Sequence, residues 1–470
     1  MAASVSFSGI ASGIDTDALI DVAISSKRAL RVEPLQDKIS ETEDESSAIQ
    51  TLKDKLLDLK NKLSKYNSLS GGAIKKGAIS SDETIISAIA SNISNQGSYD
   101  IQVSSLAKRG LFTFGTRYSS QHDKVAPDAT EVQEISISIG LGDNKKSYTL
   151  EIDSDTTLSD LVDKINASNI GCEAVCVNVG TSEVPSYTVM LSALNEGKTK
   201  GFVDISTSST DTDIIALVDN GTLSQAQNAI FSISGLASDI ERDTNTISDT
   251  IPGVTFALQS VGSATISISN DLDSTQANVQ EIVDVLNDIF KFVSDNNKVE
   301  RREEGENVEN IFSPLSKTKV DNNAVQSIKA ALVATKESEG TQVRIFADFG
   351  ITTNSRDGTL NFDIEKFSEA FSKEPSSIDS LLTKFSDTLS ATGGTIDQYT
   401  RFSGLLDVVV NNNANQISDY NDRIAKYEAM LVREENNLRA MYSRFESLMS
   451  KLQSSSNSLM SMLGNTNSRQ

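Results

Sequence analysis

Apolar residues step by threes and fours at both ends of this chain and by twos in between. From Ile417 the register runs through Tyr420, Ile424, Tyr427, Leu431, Leu438, Met441, Phe445, Leu448, Leu452, Leu459 and Met462, with only Glu434 and Ser455 polar among its fourteen positions. Residues 405–463 contain neither glycine nor proline. At about 1.5 Å per residue such a helix would measure roughly 90 Å, well beyond the ordinary helix of about 11–12 residues. Helix propagation in water is close to break-even, so a rod of this length needs a seam of buried side chains, each worth about 1.5–3 kcal/mol, to hold it. Near the other end, Pro34 fits the first turn of a helix carrying Leu35, Ile39, Ile49, Leu52, Leu56, Leu59, Leu63 and Tyr66 before the Gly71-Gly72 break. Asp15 or Thr16 can cap a shorter helix ahead of it, through Leu19, Val22, Ala23 and Leu30. Each stripe needs a facing stripe. The economical arrangement folds the chain back and lays residues 35–66 beside part of 405–463.

Between the ends, Tyr99, Ile101 and Val103, then Ile135, Ile137 and Ile139, then Ile266 and Ile268 alternate with polar residues, the pattern of half-buried strands with a Ser/Thr-rich wet face. SYTLEID, a capped helix from Thr157, and strands over 172–179 and 187–193 read as a β-α-β-β unit. Helical spacing returns over 276–300 and 321–336, and Asp357-Gly358 marks a hairpin turn. The expected fold is multidomain α+β: long terminal helices forming a coiled-coil-like leg, with β-rich head domains inserted between them. The divisions expected are a mobile amino-terminal helical segment (1–40), the first half of a helical stalk (41–78), an inner head in two parts (79–110 and 225–276), an outer head (111–224), a helical and mixed stalk domain (277–404) and the long final helix with a mobile end (405–470).

Composition narrows the chemistry. The formal charge of −23 disfavours phosphate backbones and anionic lipid, so nucleic acid is not an expected partner. No apolar run approaches the ~20 residues of a membrane span, and MAASVSFSGIASGI has neither the basic n-region nor the apolar h-region of a secretory signal. Membrane insertion is not expected. The lone histidine, His122, sits in a polar stretch without a GxSxG elbow, and the SxxK pairs Ser105-Lys108 and Ser316-Lys319 lack their companion motifs. Asp153-Ser-Asp155 fails as a calcium loop, because Leu158 and Lys164 stand where glycine and glutamate are required. No Walker or dinucleotide motif occurs. Cys172 and Cys176 would lie about 13 Å apart on one strand face by the ~3.3 Å rise, too far to bridge, with Glu173 expected to raise the thiol pKa. The Arg301–Glu306 and Glu41–Glu45 charge runs read as solvated helix faces or linkers. Neither an enzyme, a cofactor nor a metal site is expected.

Four stretches together resemble the flagellar filament cap family, also called hook-associated protein 2 or FliD. They are SFSGIASGIDTDALI at the start, TLSDLVDKINASNIGCEAVCVN, similar to the flagellin-type IN motif, the run from Ala229 to Ile268, and the run from Tyr420 to Leu463. Residues 104–150 are not matched. The resemblance implies a non-enzymatic, homo-oligomeric plate, expected to be a pentamer, at the distal tip of the filament, with flagellin folding and polymerising beneath it. It also implies passage through the flagellar type III export apparatus with a dedicated chaperone, and an extracellular location. The assembly seam is then Leu52, Leu56, Leu59, Leu63, Ile417, Tyr420, Ile424, Tyr427, Leu431, Leu438, Met441, Phe445, Leu448, Leu452 and Leu459. Rival readings are a surface adhesin using the β-rich head, a hook–filament junction protein, and a hydrolase. The long terminal seam argues against the first, the Gly235–Ile268 signature against the second, and the lone histidine against the third.

Overall fold

The protein is described here by a computed structural model covering residues 13–304 and 307–466; the opening of the amino-terminal signature, Ser6–Ser12, and the side chain of seam position Met462 lie outside the described residues. Two units divide the chain, one made of residues up to Ser68 together with those from Gln276 onward, the other of Leu69–Thr275. The described residues of the discontinuous first unit open with two helices. Helix α1 (Thr16–Arg31) is capped by Asp15, whose carboxylate accepts the Ala18 N–H at 3.0 Å, and acidic Asp17 and basic Arg28 and Arg31 suit its two ends. Pro34 then falls in the first turn of α2 (Glu33–Leu63), where its missing N–H costs nothing.

The inserted unit opens with β1 (Lys76–Ser80), β2 (Ile86–Ala90) and β3 (Gly97–Ser105), so head structure begins before residue 79. There follow β4 (Leu111–Thr113), β5 (Gln133–Ile139), β6 (Lys146–Ile152), α3 (Leu158–Ala167), β7 (Cys172–Asn178), β8 (Tyr187–Ala193), β9 (Val203–Thr207), α4 (Thr212–Asp219) and β10 (Thr222–Ser224). The β-α-β-β reading of this stretch is met. Helix α3 starts where Thr157 and Asp160 cap each other's backbone in a reciprocal box. The chain completes the head with β11 (Ala229–Ile233), β12 (Ala237–Arg242), β13 (Thr246–Ile247), β14 (Val254–Leu258) and β15 (Gly262–Asn270). Four antiparallel sheets result: β1-β15-β3-β11-β12 and β13-β14-β2 enclose an inner core, while β10-β4-β8-β7 and β6-β5-β9 enclose an outer one. Alternation explains the sides. Ile101, Val103, Ile266 and Ile268 point into the inner core with Phe231 and Phe256, whereas Ile135, Ile137, Leu150, Leu161 and Leu191 fill the outer.

Back in the first unit, α5 (Leu272–Asn296) leads into a hairpin of β16 (Val299–Glu304) and β17 (Asn307–Phe312). The Arg301–Glu306 charge run was expected on a helix or linker; the backbone from Val299 to Glu304 is instead a strand paired with Asn307–Phe312. Next come α6 (Val320–Ala334), a small hairpin of β18 (Ile351–Thr353) and β19 (Leu360–Phe362) turned through Gly358 at φ +71°, α7 (Ile364–Lys373), α8 (Pro375–Ser390), α9 (Thr395–Thr400) and the long α10 (Leu405–Thr466). Phenylalanine is concentrated here. Phe346 lies 5.3 Å from Phe385 and Phe349 6.1 Å from Phe367, both ring pairs edge-on, and Phe367 touches Phe362 and Phe371. Asp321, in the first turn of α6, is fully buried; Asn297 donates to one oxygen, and the other has no hydrogen-bond partner among the described residues. Burial pushes the Asp321 carboxyl above its ordinary value.

Two outcomes follow. Leu56 is sealed in this unit, so Leu56→Ala should cost about 2–5 kcal/mol in urea unfolding, against under about 0.5 for Glu43→Ala on the exposed face of α2. Because the folded-state pKa of Asp321 is raised, its charged form penalises the fold above that pKa, and the penalty fades as pH falls toward the unfolded value of 3.8. The stability difference between the parent and Asp321→Asn should therefore be largest at neutral pH and shrink on acidification, measured by urea melts across pH.

Candidate assembly surface

The terminal helices run antiparallel. Ser46 of α2 accepts from Asn413 of α10 at 3.2 Å, Lys53 pairs with Asp407 at 2.5 Å, and one helix earlier Arg28 pairs with Glu428 at 2.7 Å while Asp17 meets Arg439 at 2.7 Å. Lys27 joins Glu434, and the Arg31 guanidinium lies 5.6 Å over the ring of Tyr427. Thus α1 and α2 follow one another along α10 as far as Arg439. The charge ladder sets register more than strength, since exposed pairs are worth about 0–1 kcal/mol each. Lys60 also holds the Asp397 carboxyl below the usual carboxylate range across 2.7 Å.

This packing sorts the predicted seam into three groups. Leu52, Leu56, Leu59 and Leu63 are completely buried, and α2 packs on α8, α9 and α10, so in this structure they are core of their own subunit. Ile417, Tyr420, Ile424, Tyr427 and Leu438 are half-buried and Leu431 is buried, along the stretch that α1 and α2 accompany. Past Arg439 the seam positions are open to solvent. Met441, Phe445, Leu448, Leu452 and Leu459 are exposed, Leu452 by 65%. A second apolar stripe accompanies them: Leu19, Val22 and Leu30 of α1 face solvent, while Ile20 on the other side of the same helix is sealed. The three-four spacing of these residues is visible in the sequence, but its division into a covered and an uncovered face depends on where α10 lies.

The residues weighed for chemistry each have a structural setting. His122 is exposed in a loop, its backbone N–H donating to Ser120 Oγ at 3.1 Å. Asp153 accepts the Thr156 hydroxyl at 2.8 Å, and that bond holds its carboxyl below the ordinary range in a turn preceding the α3 cap. Cys172 packs in the outer core and Cys176 against it, both as free thiols. Burial raises the Cys172 thiol to about 11; Glu173, the cause expected from the sequence, is not what raises it. Among the described residues, no group of three or more His, Cys, Asp or Glu side chains could hold a metal, and no helix is long and apolar enough to cross a membrane.

Paired terminal helices, an inserted head of two β cores and a long uncovered helical seam define a class of assembly protein. Residues 12–110 match the pattern described as Flagellar hook-associated protein 2 N-terminus, residues 226–454 its C-terminus, and residues 134–188 the Flagellin hook IN motif. The A-type flagellar hook-associated protein 2 of Pseudomonas aeruginosa is 26% identical over 430 residues, covering 86% of each chain. Flagellar hook-associated protein 2 of Aeromonas caviae is 25% identical over 97% of this chain and 98% of its own. In fold, the D1-D2-D3 domains of the flagellar cap protein FliD from Escherichia coli superpose over 78% of this chain and 99% of theirs, with a TM-score of 0.56 and 23% identity. The N- and C-terminal patterns are two halves of one family and together take in more than two thirds of the sequence. The chain belongs to the flagellar hook-associated protein 2 family.

Because the Cys172 thiol is buried, Cys176 is half-buried against the same core and His122 is exposed in a loop, His122→Ala and the pair Cys172→Ala, Cys176→Ala should each restore swimming to a strain lacking this protein as fully as the parent gene does. Impaired swimming in soft agar, with secretion and folding intact, would return a chemical role to one of these side chains.

Proposed function

We propose that this chain is the structural cap at the distal tip of the bacterial flagellar filament, where it retains exported flagellin and promotes its folding and polymerisation. The observation that carries the mechanism is the uncovered stretch of α10 from Met441 to Leu459, in a chain of this family. An apolar stripe of about 18 residues on a single helix, at 1.5 Å per residue, offers roughly 27 Å of seam to another helix. Between Leu452 and Leu459 the intervening residues are Gln453, four serines and Asn457, so the distal end of the stripe is one apolar residue wide and each contact there is small. Many small contacts suit a cap that must release and rebind as each flagellin adds beneath it.

The capping reading makes the chain extracellular, exported by the flagellar route, and associated with itself and with flagellin. A ring of five copies, delivered by an export chaperone, is the arrangement we favour: a plate closed by cyclic symmetry needs one head-to-tail interface repeated around the ring. The role is mechanical. It asks for surfaces that hold and let go.

The test places charge on the uncovered seam. Phe445→Asp with Leu452→Asp changes two exposed positions, so the isolated subunit should keep its circular dichroism spectrum and its melting midpoint. On assembly the same carboxylates would be buried without partners, at a cost of several kcal/mol. Cells carrying the pair should shed unpolymerised flagellin into the medium and swim poorly. Normal filaments from a folded, secreted double variant would show that this stretch is not the working surface.

A further inference from the structure

Among the described residues the inner and outer β cores share no buried side chain, so apolar packing of one core into the other does not fix their angle. The contact between them is polar and centres on Asn245, in the turn between β12 and β13. Its Oδ1 accepts the Ala107 N–H at 2.8 Å, and its Nδ2 donates to the Ala107 carbonyl at 2.9 Å and to Glu196 Oε2 at 3.0 Å. The backbone N–H of Asn245 reaches the same Glu196 oxygen at 3.3 Å. Ala107 and Asn245 belong to the inner core, whereas Glu196 stands in the β8–β9 loop of the outer core. The next residue of that loop, Gly197, has φ +84°, donates its N–H to the Lys108 carbonyl at 3.1 Å, and leaves no room for a Cβ, which would come within 2.5 Å of the Asp243 Cα. Lys198 N–H then donates to Asn228 Oδ1 at 2.7 Å.

We propose that Asn245 is the positioning residue that sets the outer β core on the inner one. Its side chain does what a neighbouring strand would do for Ala107, satisfying both N–H and C=O of a buried residue, and its second amide proton ties that pair to Glu196. Few side chains can replace it. Aspartate keeps the acceptor but sets a carboxylate against the Ala107 carbonyl and the Glu196 carboxylate, and alanine strands both backbone groups of Ala107. Since neither core lends a buried side chain to the other, the clamp can fail while each core keeps its own packing. The cap role does not enter this inference, which concerns the geometry of the free subunit.

The full chain, with Cys172→Ala and Cys176→Ala, takes spin labels at Asp143→Cys in the outer core and Ser234→Cys in the inner core, both exposed positions. Pulsed electron–electron resonance should give one narrow distance distribution for this parent. Asn245→Asp should broaden or shift it with the near-ultraviolet circular dichroism unchanged, and adding Glu196→Gln, which offers a donor opposite the new carboxylate, should narrow it again. If Asn245→Asp does not fold, Glu196→Ala tests the same clamp from the other side and should broaden the distribution. A distribution coincident with the parent's in the folded variant, or broadening that Glu196→Gln leaves untouched, would overturn the assignment.

Discussion

The contact on which the helical unit depends is the burial of one leucine stripe, Leu52, Leu56, Leu59 and Leu63, against the helices that close the chain. Four sealed leucines at about 1.5–3 kcal/mol each outweigh the exposed ion pairs of the same interface, worth about 0–1 each. They bring the two ends of a long sequence together, and the length of α10 beyond that meeting is then left over. Among the described residues, α1 (16 residues) and α2 (31 residues) accompany α10 to Arg439, and α10 itself runs to Thr466. The seam positions beyond Arg439 are exposed.

That division could not be read from the sequence. Period 3.6 identifies a buried stripe but says nothing about whose surface buries it, and Leu56 and Leu452 carry the same signal with opposite fates. Local rules did better where the determinants are local. Asp15, Pro34 and Thr157 mark helix starts, and alternation places Ile101, Ile137 and Ile266 inward. The hairpin of β16 and β17 escaped because its residues are charged in runs rather than alternating with apolar ones. The short helices α7 and α9, and the phenylalanine cluster around Phe367, escaped because ten- and six-residue elements offer too few periods to stand out. The Cys172 thiol was assigned the right direction for the wrong reason: neighbouring charge is legible in sequence, whereas burial is not.

The two parts of the chain are built on different physics. Alternation and sealed cores build the head, and the helical unit carries a long helix with exposed apolar positions. In the proposed working surface, the Ser454–Ser458 run between Leu452 and Leu459 keeps the distal stripe narrow. A narrow stripe lowers the cost of staying exposed before assembly and of letting go afterwards. The buried stripe of α2, dense in leucine, has the opposite design.

Peroxide labelling of methionine tests the central claim most directly, because Met441 and Met460 both stand exposed on the uncovered stretch of α10, by 53% and 71%. The account predicts rapid sulfoxide formation at both in the purified subunit, and protection of both when the protein sits on filament ends. Equal labelling in the two states would contradict it, since the distal seam would then remain bare in the working cap.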